Sequence, residues 1–377
     1  MTVEIFSLSP PFCLPRPGLV LQRIRKFRVQ SAQNASPELE RALEQFNLRP
    51  VSPIRRLDGA VRNETWVADT AEGRKVLKRY KTSLDYDQIV YEHSILEHLA
   101  LKGFPAPRLA HTSQGETIVD EGGRYYAVLD YLDHYIQFHN YFRFPGQNRQ
   151  FLAAEGRTLG HLHEALDGFT PAGRNVYGFQ VDSEGRGVEL DWYLEKFRNA
   201  LKAIESTPLD QDYPTSSRVR ERAGWIQDRL QEINELLESS SLARGVIHGD
   251  YGPHNLLFRP GRPVVALDFE LARRDWLLVD VISALSNATR PANPVYDLDR
   301  ILPILKSYHS VRPLSEEALH LLPCVWQFQV IRRLMVIWSQ YVEKNDPTRL
   351  VESQKRLSRL DWVLRHENDL ANLYRLI

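Results

Sequence analysis

Between Ile54 and Leu132 apolar and polar residues alternate in short runs around one helical stretch, and beyond Leu132 they recur at helical spacing, so strands should give way to helices. From Ile54 to Tyr80 the pattern fits three short strands, with a turn at Glu72-Gly73 feeding Lys75-Val76-Leu77-Lys78-Arg79-Tyr80. Tyr86 to Leu101 carries apolar residues at helical spacing. Glu116 to Leu132 reads as a hairpin turned at Gly122-Gly123, with Tyr125 to Leu129 as its second strand. Ahead of these, Ser36 is placed to cap a short helix that has Pro37 at its first position and Leu39, Leu43 and Phe46 along one side.

Beyond Leu132 the pattern is mainly helical. Phe151 to Leu166 sets Leu152, Leu159, Leu162 and Leu166 on one stripe, with His161 and His163 beside it; two histidines two apart on a helix point in different directions, which suits structural roles. Trp192 to Ile204, Val219 to Leu237 and Leu278 to Ala288 are amphipathic as well. Leu319 to Trp338 contains Pro323 and the Arg332-Arg333 pair and predicts one buried helix, not a membrane span. Between these helices Val246-Ile247 leads into a loop, Leu256 to Phe258 reads as a strand leaving it, and Arg259 to Pro263 turns the chain. Val264 to Phe269 then returns antiparallel. The fold class is α+β.

A chain of 377 residues exceeds what one core usually serves, so two lobes sharing a cleft are expected. The expected divisions are an extension over 1–35, a strand-rich lobe over 36–132 and a helical lobe over 133–377. The extension combines Pro10, Pro11, Pro15 and Pro17 with the basic run Arg23 to Arg28 and shows no sustained period. Lys and Arg number 48 against 48 Asp and Glu, which removes any general electrostatic argument for nucleic acid or an anionic membrane as partner. Cys13 and Cys324 are too few for a disulfide framework and lack metal-ligand spacing. No basic stretch precedes an apolar one near the N-terminus, so a cytoplasmic enzyme is expected.

The chemistry concentrates at His248-Gly249-Asp250-Tyr251-Gly252-Pro253-His254-Asn255, followed thirteen residues after Asn255 by Asp268. Asp, Asn and Asp at those gaps suit phosphoryl transfer from a magnesium nucleotide. One carboxylate, Asp250, orients the attacking hydroxyl and accepts its proton; the amide oxygen of Asn255 and the carboxylate of Asp268 hold Mg²⁺ against the phosphates. The Leu256–Phe269 hairpin would carry Asn255 and Asp268 to neighbouring strand ends. A His-Gly-Asp triplet by itself is common, and an Asp in a loop usually serves as a turn or cap residue, so the signal lies in the combined spacing.

The run Val246 to Phe258, with Leu267-Asp268-Phe269-Glu270 behind it, resembles the aminoglycoside phosphotransferase, choline kinase and homoserine kinase group of small-molecule kinases. That resemblance covers about residues 45 to 365 and implies a bilobal protein-kinase-like fold, with ATP (or GTP) and Mg²⁺ as cofactors and a small-molecule acceptor. It implies that Lys78 pairs with the phosphates and Glu92 fixes it, although solvated surface roles suit both types. Gly59 and Asn63 occupy the place of the phosphate-covering turn, where Asp58-Gly59 also reads as an ordinary hairpin turn. Asp130 and Leu132 fall where the adenine edge is bound, or Asp130 caps the linker. His248 would support the loop by hydrogen bonding. Asp280 would brace it from a helix start, where capping alone is an equal account.

Two other readings stay open. A protein kinase needs a long activation segment, and here Glu270 replaces the expected glycine while an apolar helix begins about ten residues after Asp268. A nucleotide-binding regulatory protein would have lost turnover, against which stands the retention of all three base and metal residues. For the acceptor, the irregular segment Gly168 to Glu189 and the arginines Arg273, Arg274, Arg332 and Arg333 lean toward a neutral or anionic molecule such as a sugar or hydroxy-amino acid.

Overall fold

The computed structural model describes residues 37–57, 63–137, 148–175, 195, 198–202, 215–259, 261–288, 298–344 and 348–377. It divides into two compact units, Met1–Asn140 with Pro253–Asp268, and Tyr141–Gly252 with Phe269–Ile377. The chain thus enters the first unit twice. The hairpin after Gly252 clusters with the N-terminal strands, where one boundary after Leu132 would have left it with the helices.

The first unit opens with α1 (Pro37–Gln45) and the strands β1 (Arg55–Arg56), β2 (Glu64–Thr70) and β3 (Gly73–Arg79). After α2 (Tyr86–Leu101) come β4 (Val119–Glu121) and β5 (Arg124–Asp130), completing an antiparallel sheet of order β1-β2-β3-β5-β4. Leu39 and Leu43 from α1 and Phe46 just after it join Trp66, Leu77, Tyr126 and Val128 from the sheet in one buried cluster, so the short helix is held by packing more than by propensity. Helix α2 begins where its local sequence says it should. Asp85 accepts from the Gln88 amide at 2.9 Å and the Gln88 side chain accepts from the Asp85 amide at 3.1 Å, a reciprocal cap. It buries Ile89, Glu92, His93, Ile95, Leu96 and Leu99, a broader face than a surface helix needs.

Strand β6 (Ile136–Gln137) completes the first passage, and the chain then forms α3 (Asn148–Ala165), α4 (Thr215–Glu238) and β7 (Arg244–Ile247) of the second unit. Returning to the first unit, β8 (Leu256–Phe258) and β9 (Val265–Ala266) join β6 in a sheet of order β6-β8-β9. The second unit resumes with β10 (Arg273–Trp276), α5 (Leu277–Ala288), α6 (Leu298–Val311), α7 (Glu316–His320), α8 (Leu322–Lys344), α9 (Thr348–Arg365) and α10 (Glu367–Ala371). Helix α5 is buried on nearly every side, as befits an apolar helix at the centre of a bundle. Against it and α3 packs α6. Gly156 on α3 lets the two backbones close up, because a Cβ there would overlap the Ile304 carbonyl.

Three features differ from the sequence expectation. The apolar stretch Leu319 to Trp338 is broken at Leu321 into α7 and α8. Pro323 has no N–H to donate and so falls in the first turn of a new helix, where no intrahelical partner is required. The returning strand spans only Val265–Ala266, since Leu267 donates to the Asn255 carbonyl at 2.8 Å and Asp268 then leaves extended geometry with φ 61°. The connector after Asp268 contains an additional strand, β10, paired antiparallel with β7. The predicted helix Trp192 to Ile204 lies mostly outside the described residues, as do residues 1–35. Among the described residues no helix is long and apolar enough to cross a membrane.

Candidate active site

In the first unit Lys78 on β3 and Glu92 on α2 meet as a buried ion pair, with Nζ 2.7 Å from Oε1 and 3.0 Å from Oε2. Their side chains are only 10% and 6% exposed, which excludes solvated surface roles for both. A buried ammonium needs that carboxylate, because an uncompensated charge there is expensive. Nζ also lies 4.7 Å from the Tyr80 ring centroid. His93, next to Glu92, is bonded to the Tyr80 hydroxyl at 2.8 Å and the Thr117 hydroxyl at 2.7 Å. Burial, reinforced by the Lys78 charge, pushes its pKa down to about 3, so it stays neutral and adds no repulsion to the ammonium.

The hairpin of the same unit presents Asn255 and Asp268. Asn255 ends a single 3₁₀ turn, Pro253–Asn255, and is buried; β8 starts at the next residue. Leu256 pairs with Ala266, and the Leu267 amide bonds the Asn255 carbonyl, so Asn255 and Asp268 stand at the same end of the β8–β9 ladder. Gln137 of β6 donates to the His254 carbonyl and fixes the turn ahead of Asn255. Asp268 is exposed and holds a left-handed backbone, which is uncommon for any residue but Gly and concentrates at functional positions. Among the described residues no three His, Cys, Asp or Glu side chains cluster into a metal cage. Two oxygen donors at one strand end fit a hard cation that fills its other positions with phosphate oxygens and water, as Mg²⁺ does.

Other first-unit candidates are placed as follows. Asn63 is buried and its side-chain oxygen accepts from the Lys81 amide at 3.2 Å, a structural task for that carbonyl. Gly59 lies outside the described residues. Asp130 ends β5, its carboxylate accepting from Lys75 at 2.7 Å and its amide donating to the Arg108 carbonyl at 3.0 Å; Leu132 follows, half-buried.

In the second unit Asp280, wholly buried in the first turn of α5, takes the amides of His248 at 2.6 Å and Gly249 at 3.0 Å. Its carboxylate therefore fixes the backbone that carries Asp250, which is more than helix capping supplies. The Asp250 amide donates to His248 Nδ1 at 3.3 Å, and the His248 ring packs on Phe269 at 4.8 Å. Tyr251 is buried and donates to the Glu155 carbonyl at 2.8 Å. Gly249, at φ 81°, sits so close to the Leu271 carbonyl and the Arg273 guanidinium that no side chain fits.

Sequence reasoning missed two contacts at this loop. His163 was read as structural without a partner; it bonds Asp280 Oδ2 through Nε2 at 3.3 Å and the Tyr308 hydroxyl through Nδ1 at 2.8 Å. A carboxylate can only accept, so the imidazole donates from Nε2. Arg333 reaches Asp250, Nη2 to Oδ1 at 3.4 Å. No local signal marks either contact. Conversely, Arg273 and Arg332 do not serve an acceptor, since both are buried on Asp275.

The α+β architecture is that of the protein-kinase-like fold. Residues 53–314 match the APH family, described as a phosphotransferase enzyme family. The chain belongs to that family, and it is a kinase that transfers phosphate to a hydroxyl group. It is 24% identical over 302 residues to the homoserine kinase of Rhizobium meliloti (strain 1021), covering 78% of this chain and 81% of the relative. Among solved structures it resembles the amicoumacin kinase hAmiN in complex with AMP-PNP, Ca²⁺ and Ami, with TM-score 0.59 at 15% identity, over 88% of this chain and 94% of that one. An aminoglycoside phosphotransferase from Alicyclobacillus acidocaldarius is similar at TM-score 0.58 and 19% identity, over 90% and 98% of the two chains.

Proposed function

We propose that this chain is a cytoplasmic, ATP-dependent kinase acting on the hydroxyl of a small polar molecule, with homoserine the first acceptor to test. The observation that carries the nucleotide half is the buried Lys78–Glu92 pair in the same unit as the Asn255 and Asp268 strand ends. Lys78, held by Glu92, binds phosphate oxygens, and the backbone around Asp130 and Leu132 meets the base. Asn255 and Asp268 hold Mg²⁺, which when bound neutralises charge on the phosphates. Asp250 orients the acceptor hydroxyl and takes its proton as the oxygen bonds to the γ-phosphorus and the bond from that phosphorus to the β–γ bridging oxygen breaks, releasing ADP. Asp280 holds the Asp250 backbone still through His248 and Gly249. This division asks for positioning and charge neutralisation and needs no covalent intermediate.

ATP is the favoured nucleotide because the similar hAmiN structure holds AMP-PNP. Homoserine comes first because relatives of that name match across most of their own length. The test is ADP release across amino acids, sugars, amino alcohols and aminoglycosides. Asp250→Ala should lower kcat by at least ~10²-fold with nucleotide affinity little changed, the usual worth of a general base. Turnover equal to wild type would remove Asp250 from the mechanism.

A further inference from the structure

The structure sorts the four arginines near the second unit's loop. Arg273 and Arg332 each place Nη2 at 3.1 Å from Asp275 Oδ2, and all three side chains are 6% exposed. Burial alone would raise the Asp275 carboxyl, but Arg332 and Arg273 outweigh it and hold the pKa below the usual range. Arg332 also lies over the Phe328 ring at 4.7 Å. Those two guanidiniums belong to the framework. Arg274, the next residue on β10, is half-buried.

Arg333 differs from its neighbour on α8. Its side chain is 43% exposed, and among the described residues its one ion pair is with Asp250 at 3.4 Å. That separation is longer than the ~2.8 Å of a close charge-assisted bond, and a guanidinium has several further donors in its planar fork. Arg333 is therefore an accessible cation, loosely engaged, beside the carboxylate that receives the acceptor.

We propose that Arg333 reads a carboxylate on the acceptor, so that the preferred substrates are small hydroxy acids, amino-substituted or not. This rests on the reading of Asp250 as the group that meets the hydroxyl. A hydroxyl on Asp250 brings the carbons next to it alongside the guanidinium. A carboxylate a few carbons away then gains a two-pronged pair that planar Arg, unlike Lys, is shaped to make. An acceptor bearing only ammonium groups meets a like charge at the same place and is selected against.

The test compares matched acceptors by ADP release: L-homoserine against 3-aminopropan-1-ol, and glycerate against glycerol. In wild type the carboxylate-bearing member should lead by at least ~10-fold in kcat/KM, the scale of a hydrogen bond to a charged group. Arg333→Gln should raise KM for that member about as much and erase the preference, leaving KM for ATP within about twofold; Arg333→Lys should fall between. Equal use of both members, or silence from every carboxylate-bearing acceptor, overturns the inference. So does an Arg333→Gln loss confined to kcat and equal for both members, which would make Arg333 a positioning residue for Asp250. If carboxylate-free acceptors still turn over, the kinase reading survives that failure; only silence from acceptors of every charge would sink both.

Discussion

Replacing Lys78 by Met separates what the buried ion pair does for the fold from what it does for the reaction. At 2.7 Å the pair gains ~6 kcal/mol of attraction at an effective dielectric of ~20, most of it offset by the cost of desolvating two ions. Removing Lys78 alone leaves the Glu92 carboxylate, 6% exposed, without its countercharge, and such a change costs about 3–5 kcal/mol. For a folding unit of this size that corresponds to a fall in Tm of roughly 10 °C. Replacing Glu92 by Leu in the same chain removes the stranded charge, and the Lys78→Met/Glu92→Leu protein should recover to within about 2 kcal/mol of wild type, since well-packed apolar substitutes for buried pairs are often neutral. Activity should not follow stability. Both variants should lose at least ~10²-fold in kcat/KM for ATP, the scale of removing one fixed electrostatic contact to the transferring group. Thermal unfolding and ADP release on the four proteins of the cycle decide it. A Lys78→Met protein with unchanged Tm would refute the buried pair, and a double variant with wild-type turnover would refute the phosphate role.

Gly249→Ala forces a side chain into left-handed backbone against the Leu271 carbonyl and should cost roughly 2–5 kcal/mol from backbone strain plus overpacking. A denaturation midpoint equal to wild type would refute the close approach. His93 carries a pH dependence of defined sign: its folded pKa of about 3 lies below the ordinary 6.5, so the unfolded chain binds the extra proton. Its contribution is complete above about pH 6.5 and is lost as pH falls toward 3. Asp275, depressed by Arg332 and Arg273, is also lost at the acid end, below the carboxylate range. Urea unfolding between pH 7 and 4.5 should therefore show stability falling from pH 6.5 downward in wild type, with a shallower slope in His93→Gln; parallel slopes would show that His93 is not the group responsible.

Much of the machinery was legible because its causes are local. The Asp85–Gln88 cap and apolar spacing fix α2 within a few residues of themselves, and Gly122-Gly123 turns β4 into β5. The strand-end placement of Asn255 and Asp268 follows from hairpin length, so only the precise end of β9 was set otherwise, by the Leu267 bond and the left-handed Asp268. What the chain alone did not disclose depends on partners far away in sequence. Arg273 to Trp276 has no alternating apolar pattern and is a strand because β7 offers it a ladder. The grouping of Pro253–Asp268 with the first unit likewise comes from strand pairing with β6, more than a hundred residues earlier.

Residue types and spacing determined by themselves which side chains bear carboxylate and amide oxygens and which bear a cation, since those are covalent facts. Tertiary structure alone decided who faces whom: Tyr308 on His163 across 145 residues, His163 on Asp280 across 117, and Arg333 on Asp250 across 83. Local propensity acts over a turn or a strand, whereas the partner of a buried or half-buried charge is chosen by whatever packing brings within reach, and that choice is made only when the whole unit closes.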